Sequence, residues 1–375
     1  HDVDDSLCGV WHLPLSATHS NRSRSGRSGR SGAQRPPSAS HSVIVDRLCD
    51  RYFLPIVNAS APGKMILFGE HAVVYGRPAL AVPVKQVHAD VEILDSNSTG
   101  IWIHAPGIRL HSELNALPSD HPIASVIHNF LFLARASLGE GRFPNINLTI
   151  NSTIPVASGL GSGAAVTVAL VRALSSHLNY PMSEEDINAF AYDIEKIYHG
   201  APSGIDNTVV TYAKPVYFVK GQPIETFKVG TPFTIVIGGT GISAPTRESV
   251  ADVRKLWEAD RAKWEGVFDA VGKIADEARM RIETGEPALS KVEGWRLLGG
   301  LMNQNHERLQ EMTVSSPELD LLVEAARKAG AAGAKLSGGG RGGNMIALVE
   351  RENADDVSSA LISAGAKNTI ITQVA

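Results

Sequence analysis

The chain has 375 residues, of which 43% are hydrophobic and 20% are charged, and its formal net charge is −4. These values are typical of a globular protein with room for two domains. The small negative charge argues against binding to nucleic acid or to an anionic membrane. The sequence also contains no apolar run near the roughly 18 residues that a membrane helix needs.

Residues 1–48 differ in composition from the rest of the chain. Ser, Arg and Gly repeat through residues 20–42 with almost no large apolar side chain. We predict a disordered or non-native extension, because such a segment cannot offset its ordering entropy by burial; an organelle transit peptide is the alternative. The two cysteines, Cys8 and Cys49, leave none for a disulfide framework or a metal cluster in the folded body. We therefore expect a reducing, cytoplasmic location.

The remaining patterns predict an α+β protein with domains at residues 49–228 and 229–375. Alternation predicts strands at 87–94, 101–104 and 146–150, and an apolar stretch without Gly or Pro predicts a helix at 164–178. Ser183 and Asp186 form a capping-box-like helix start. In the second domain, the patterns predict strands at 233–237, 345–349 and 369–374, and helices at 248–283, 317–329 and 354–364.

A Gly/Ser-rich loop lies between the strand at 146–150 and the helix at 164–178. Its sequence is Pro-Val-Ala-Ser-Gly-Leu-Gly-Ser-Gly-Ala-Ala, residues 155–165. Strand, loop and helix start together direct free backbone N–H groups and a positive helix dipole at one point. Polyphosphate is the ligand that suits this arrangement, and a tight structural turn is the alternative. The candidate phosphate-binding residues are Pro155, Ser158, Gly159, Leu160, Gly161, Ser162, Gly163 and Ala164.

Other glycine-rich nucleotide motifs are excluded. The sequence contains no Gly-x-x-x-x-Gly-Lys-Ser/Thr string, so Walker-type phosphoryl transfer is not expected. Gly338, Gly340 and Gly343 spell Gly-x-Gly-x-x-Gly, but a helical pattern precedes them and an apolar strand pattern follows. A dinucleotide-binding fingerprint requires the reverse order.

Together with this loop, three further segments of the sequence resemble the motifs of one family. They are residues 60–81, which contain Ala-Pro-Gly-Lys and Gly-Glu-His-Ala-Val-Val-Tyr-Gly, residues 199–209 and residues 335–344. In this order the four segments resemble the motifs of the GHMP small-molecule kinases, and residues 69–76 are most similar to the mevalonate kinases. The resemblance implies a two-domain GHMP kinase fold with its active site in the interdomain cleft. It also implies ATP- and Mg²⁺-dependent phosphoryl transfer to the 5-hydroxyl of mevalonate.

The resemblance leaves alternatives open. Another GHMP kinase, acting on phosphomevalonate or on the 3-hydroxyl of mevalonate, fits the same motifs. A catalytically silent GHMP-fold binding module is a further alternative. The sequence leaves the oligomeric state open, with a homodimer as one candidate assembly.

Three charged residues take catalytic roles by the resemblance. Asp206 corresponds to the base that faces the acceptor hydroxyl; as an acidic residue after a turn, it also suits a helix N-cap. Lys64 would lie beside Asp206 and stabilise developing negative charge, the alternative being a solvated lysine. Glu195 would bind Mg²⁺, unless it is a solvated residue of a helix face.

The acceptor side is assigned to Glu70, His71, Thr240 and Thr246, which the resemblance implies bind mevalonate. A hydrogen-bonded structural role is the alternative for His71.

The chain departs from the family pattern in two segments. Gly163 replaces a serine that commonly ligates magnesium, so Ser162 or a water must substitute. Arg341 and Asn344 interrupt the second glycine-rich segment, and Arg341 is a candidate partner for a phosphate.

Overall fold

Two β-sheets and the helices that cover them form the part of the chain described by this computed structural model, namely residues 56–138, 144–155, 158–199, 202–243, 246–285 and 291–375. The predicted extension at 1–48 and both cysteines lie outside the described residues. The strands are β1 Val57–Phe68, β2 Ala79–Asp95, β3 Ile101–Ala105, β4 Leu110–Glu113, β5 Ile146–Ser152, β6 Val216–Phe218, β7 Glu225–Thr226, β8 Phe233–Gly239, β9 Gly333–Ser337, β10 Asn344–Val349 and β11 Asn368–Val374. The helices are α1 Pro122–Leu138, α2 Ser162–His177, α3 Glu184–His199, α4 Ile205–Tyr212, α5 Thr246–Ala259, α6 Arg261–Thr284, α7 Lys291–Glu311, α8 Pro317–Lys328 and α9 Ala354–Ser363.

The first sheet has the strand order β4-β3-β5-β2-β6-β7, and β1 pairs with β2. Its ladders are antiparallel except for the parallel pair β3 and β5. The β1–β2 register breaks between Pro62 and Gly63, where residues 85–87 of β2 bulge out of the ladder. Bulges redirect the side chains that follow them. Lys64 is the second residue of β1 after this break.

The second sheet is antiparallel with the order β11-β8-β10-β9. Every residue of β8 and of β10 is buried. Strands covered on both faces read as continuous apolar runs rather than alternating ones. This explains why both strands were visible in the sequence as short apolar blocks.

Helix α2 packs against the first sheet as the centre of the amino-terminal core. Small side chains let it approach β1 and β2 closely, and ten of its residues are buried, from Ala164 to Ser175. The same apolar cluster continues through the first sheet to Phe233 and Ile346 of the second. The phosphate-loop helix is therefore held by the main core of the molecule.

Most predicted elements are confirmed. The capping box is present, since Asp186 N donates to Ser183 Oγ at 3.1 Å and Ser183 N donates to Asp186 Oδ2 at 3.3 Å. The single helix predicted at 248–283 is wrong: Asp260 ends α5 and caps α6, accepting a hydrogen bond from Lys263 N. Strand β9, rather than a helix, directly precedes Gly338, but the strand β10 that follows still excludes a dinucleotide-binding fingerprint.

In the part of the chain that the structure describes, no helix combines the length and apolar character needed to span a bilayer.

Helix α7 and strand β9 meet through backbone. A Cβ added to Gly299 would lie 2.3 Å from Ala332 O, and one added to Gly333 would lie 2.0 Å from Gly299 O. Neither position has room for a side chain. Gly300, the next residue of α7, has no atom within 4 Å of its would-be Cβ.

Gly299→Ala should therefore lower the free energy of unfolding by about 2 to 3 kcal/mol, because the helix must move away from β9. Gly300→Ala is the matched control and should be neutral or stabilising by up to about 1 kcal/mol, since Ala favours helix. Chemical denaturation measures both. Equal effects of the two substitutions would contradict the close approach.

Candidate active site

The phosphate loop ends at the amino terminus of α2. Gly159 and Gly161 have φ values of 80° and 75°, a left-handed conformation that favours glycine, and Gly161 is the N-cap residue. No side chain caps this end, and the bond from Ala165 N to Gly161 O begins the helix. The N–H groups of residues 162–164 precede that bond. The loop therefore offers them, with the helix dipole, to an anion.

Lys64 and Asp206 form an ion pair beside this loop. The distance from Lys64 Nζ to Asp206 Oδ1 is 2.8 Å, with the lysine side chain 5% exposed and the aspartate 33% exposed. Lys64 N also donates to Leu160 O at 2.9 Å, which fixes the lysine to the loop. Lys64 is thus not a solvated lysine. Its partner carboxylate faces open space.

Asp206 is not a helix N-cap. Helix α4 is capped at Gly204, with φ of 87° and no side-chain cap. Asp206 lies in the first turn and directs its carboxylate at Lys64 instead.

Glu195 joins the same group of charges from α3. Burial, together with the negative charge of Asp206, raises the pKa of Glu195 to about 8, and the charge of Lys64 opposes the rise. The neighbouring Lys196 bonds Asp193 at 2.9 Å instead. Glu195 is therefore not a solvated surface residue, and the three predicted catalytic residues lie within electrostatic range of one another.

Glu70 is buried and paired with Lys335 of β9. Their side chains are 1% and 0% exposed, and Lys335 Nζ donates to Glu70 Oε1 and, at 2.7 Å, to Leu336 O. Burial raises the pKa of Glu70 and lowers that of Lys335. One carboxylate oxygen is therefore engaged by the protein, while Glu70 Oε2 is buried without a hydrogen-bond partner. Its predicted contact with the acceptor stays a prediction.

His71 adjoins Glu70 in a backbone conformation with φ of 60°. Such strain in a non-glycine residue persists only when the surroundings hold it. Here His71 Nε2 lies 3.1 Å from Gly339 O, and burial lowers the pKa of the ring to about 4. The ring is neutral near pH 7, so Nε2 donates and Nδ1 is an acceptor. Nδ1 is buried without a protein partner.

The two predicted threonines lie near the second glycine-rich segment. Thr240 Oγ1 donates to Gly343 O at 3.0 Å and accepts from Ile242 N at 3.1 Å. Its donor is thus engaged in the loop, and a bond to an acceptor carboxylate would require that contact to break. Thr246 begins α5 and lies against Gly339, where a Cβ would come within 2.7 Å of its Oγ1.

The second glycine-rich segment closes on the phosphate loop. Asn344 Nδ2 donates to Ser158 O at 2.6 Å. Asn344, which departs from the family pattern, therefore links β10 directly to the phosphate loop. Arg341 does not face the loop as a free cation, because its guanidinium bonds Asp252 of α5 at 2.6 Å.

Several supporting residues were missed from the sequence. Lys335 is one of them, and the sequence signal for it is a lysine inside the otherwise uncharged segment Gly-Ala-Lys-Leu-Ser, where only a buried counter-charge permits it. Tyr75 and Arg77 anchor the motif on α6, through stacking on Phe268 at 4.1 Å and an ion pair with Asp269 at 2.8 Å. No sequence pattern connects partners so far apart in the chain.

Comparisons with known proteins agree with this geometry. A family model described as GHMP kinases N terminal domain matches residues 125–214, and one described as GHMP kinases C terminal matches residues 287–367. The mevalonate kinase of Pyrococcus abyssi is 37% identical over 322 residues, which cover 83% of this chain and 93% of that protein.

Solved structures show the same relationship. A crystal structure of L. major mevalonate kinase in complex with R-mevalonate matches with a TM-score of 0.73 and 27% identity, covering 84% of this chain and 95% of that one. The Methanococcus jannaschii mevalonate kinase matches with a TM-score of 0.70 and 25% identity, over 86% and 98% of the two chains. The fold and the site thus define a GHMP kinase, with the two-domain fold of that class. Within the class, the chain belongs to the mevalonate kinase family.

The Glu70–Lys335 pair generates a stability prediction. Lys335→Met should lower the free energy of unfolding by about 3 to 5 kcal/mol, because it leaves a buried carboxylate without its counter-charge. Glu70→Leu combined with Lys335→Met should recover a large part of that loss, since no charge then remains buried. Urea denaturation of the single and double variants tests this. Losses that simply add would show that the two side chains are not coupled.

Proposed function

We propose that this protein transfers the γ-phosphoryl group of ATP to the 5-hydroxyl of mevalonate, giving 5-phosphomevalonate for isoprenoid biosynthesis. The observation that carries the proposal is the Lys64–Asp206 pair, 2.8 Å apart, beside the open amino terminus of α2. Membership of the mevalonate kinase family supplies the acceptor.

Asp206 and Lys64 divide the chemistry between them. The hydroxyl oxygen bonds to the γ-phosphorus, the bond from that phosphorus to its bridging oxygen breaks, and ADP departs with the electron pair. The hydroxyl proton passes to the partly exposed carboxylate of Asp206. Lys64, held by Asp206 and by the loop, keeps a positive charge next to the oxygens on which negative charge develops.

Glu195 and Ser162 are the residues that would hold Mg²⁺. Hard oxygen ligands suit this ion. The negative charge of Asp206 disfavours ionisation of the neighbouring Glu195. A divalent cation would relieve that repulsion and neutralise phosphate charge. Among the described residues, no group of three or more His, Cys, Asp or Glu side chains could hold a metal. Phosphate oxygens and waters would therefore complete the shell.

The acceptor would bind between the turn after β1 and the second glycine-rich segment. His71 Nδ1 is a buried acceptor without a protein partner, so it suits a hydroxyl of mevalonate. Glu70 Oε2 has the same property. Thr246 and His71 both lie close to Gly339, so the Thr246 hydroxyl could reach the acceptor carboxylate. Thr240 would need to exchange its bond to Gly343 O.

The predicted boundary between residues 228 and 229 and the cytoplasmic location are also proposals. The boundary is supported by the two family matches, which lie on either side of it, and by the sheets, since β7 ends at Thr226 and β8 begins at Phe233.

The identity of the phosphoryl acceptor can be tested directly. ADP release should require mevalonate together with Mg²⁺, and the product should be 5-phosphomevalonate. A coupled ADP assay over a panel of hydroxy acids, with mass and NMR analysis of the product, tests this. Faster turnover of phosphomevalonate or homoserine, or phosphorylation at the 3-hydroxyl, would point to another GHMP kinase activity.

Asp206→Asn should lower kcat by about 10² to 10⁴-fold, because the base acts mainly in the transition state. The dissociation constant for ATP should change little. Asp193→Asn is the matched control, since Asp193 lies on the exposed face of α3 with its side chain 71% exposed. A near-normal kcat for Asp206→Asn would remove Asp206 from the chemistry.

Ser162→Ala should raise the Mg²⁺ concentration needed for half-maximal kcat/KM, because it removes the remaining side-chain ligand of the loop. Gly163→Ser should leave that concentration unchanged or lower it. Gly163 lies in α2 without a positive φ, and its would-be Cβ meets no atom within 4 Å, so the serine should fold normally. A folded Gly163→Ser protein that cannot bind nucleotide would contradict ligand replacement.

A further inference from the structure

A cavity of about 160 Å³ lies beside the phosphate loop. Pro155 and Ser158 line it from the loop, and Gly241, Ser243 and Lys367 line it from the carboxy-terminal half. The catalytic residues Lys64, Glu195 and Asp206 are not among its lining residues. The cavity therefore shares Ser158 with the phosphate loop but is separate from those three residues.

Lys367 is the only charged residue that lines this cavity in the described part of the chain. The remaining lining residues are glycines, proline, isoleucine and uncharged polar residues, so no carboxylate competes for the ammonium group. The described residues also give Lys367 no ion-pair partner. A cation in an acid-free cavity favours an anionic ligand.

The stem of Lys367 is directed by the loop after β8. Its backbone N donates to Gly239 O at 2.8 Å. Its side chain crosses Gly241, where a Cβ would lie 2.4 Å from Lys367 Cγ. Gly241 has φ of 74°, so a glycine suits this position for both reasons. The stem is thus packed across the cavity wall rather than extended freely into solvent.

We propose that Lys367 binds a phosphate of the bound nucleotide across this cavity from Ser158. The inference rests on the proposed function in one respect, that nucleotide binds at residues 158–164. Phosphate is favoured over other anions because the opposite wall is the start of the phosphate loop. An ammonium group binds phosphate as a point charge. Lys367 is a binding residue in this view, with no part in proton transfer.

The test is direct measurement of nucleotide binding by calorimetry. Lys367→Gln should raise the dissociation constants of ATP and ADP by about 3- to 10-fold. This range lies between the small effect of losing an exposed charge pair and the larger effect of losing a desolvated one. Adenosine binding should not change. Lys367→Arg should retain most of the affinity. Lys220→Gln is the matched control, since Lys220 is also an exposed lysine and lies in a turn outside the cavity.

A second measurement distinguishes the source of the anion. Unchanged ATP affinity with a raised KM for mevalonate in Lys367→Gln would assign the cavity to the acceptor carboxylate and overturn the proposal. Unchanged values for both ligands would make Lys367 a solvated surface lysine, which also overturns it. Equal losses for adenosine and ATP would do the same.

The failure of the proposed function would look different. A protein that binds ATP in a Lys367-dependent manner but does not phosphorylate mevalonate would leave this proposal intact and overturn the acceptor assignment. Thermal unfolding of Lys367→Gln, expected to match that of the unmodified protein because Lys367 is exposed, checks that the variant is folded.

Discussion

The buried pair of Glu70 and Lys335 is the interaction on which the geometry of the site depends. Neither charge would tolerate burial alone, so each is stable only because the other is present. The pair fixes the turn after β1 to β9, across a separation of 265 residues. Lys64 and His71 lie on the β1 side of this link, and Gly339 lies just beyond it on the other. The turn after β1 and the second glycine-rich segment are therefore tied together close to this pair.

Near the phosphate loop, the two carboxylates of Asp206 and Glu195 outnumber the single ammonium group of Lys64. One lysine, Lys64, faces the carboxylates of Asp206 and Glu195, and the raised pKa of Glu195 is the consequence. Without ligands, a proton on Glu195 relieves the excess negative charge. The helix dipole of α2 adds a further positive contribution at the amino terminus of that helix. A ligand that carries its own positive counter-charge would relieve the same excess in place of that proton.

The sequence was most informative where local pattern and motif coincide. The strand, loop and helix around residues 155–165 carry their periodicity and their glycines within a short window, and the Ser183–Asp186 cap is equally local. The catalytic roles predicted for Lys64, Glu195 and Asp206 came only from the resemblance, because no spacing rule brings Lys64 to Asp206. Strand β9 was missed because all five of its residues are buried, while Gly, Lys and Ser interrupt the continuous apolar run that such a strand usually shows. The role of Lys335 depends on a partner that only the folded chain reveals.

The hydrogen bond from Asn344 to Ser158 has a consequence for how the protein is made. Its two ends are 186 residues apart in the chain. During synthesis, the amino-terminal sheet and α2 leave the ribosome long before β10 exists, since domains generally fold in order of emergence. The phosphate loop of a nascent chain would thus remain without this tether. Nucleotide-binding competence should appear late, when translation has passed residue 344 and its strand has paired.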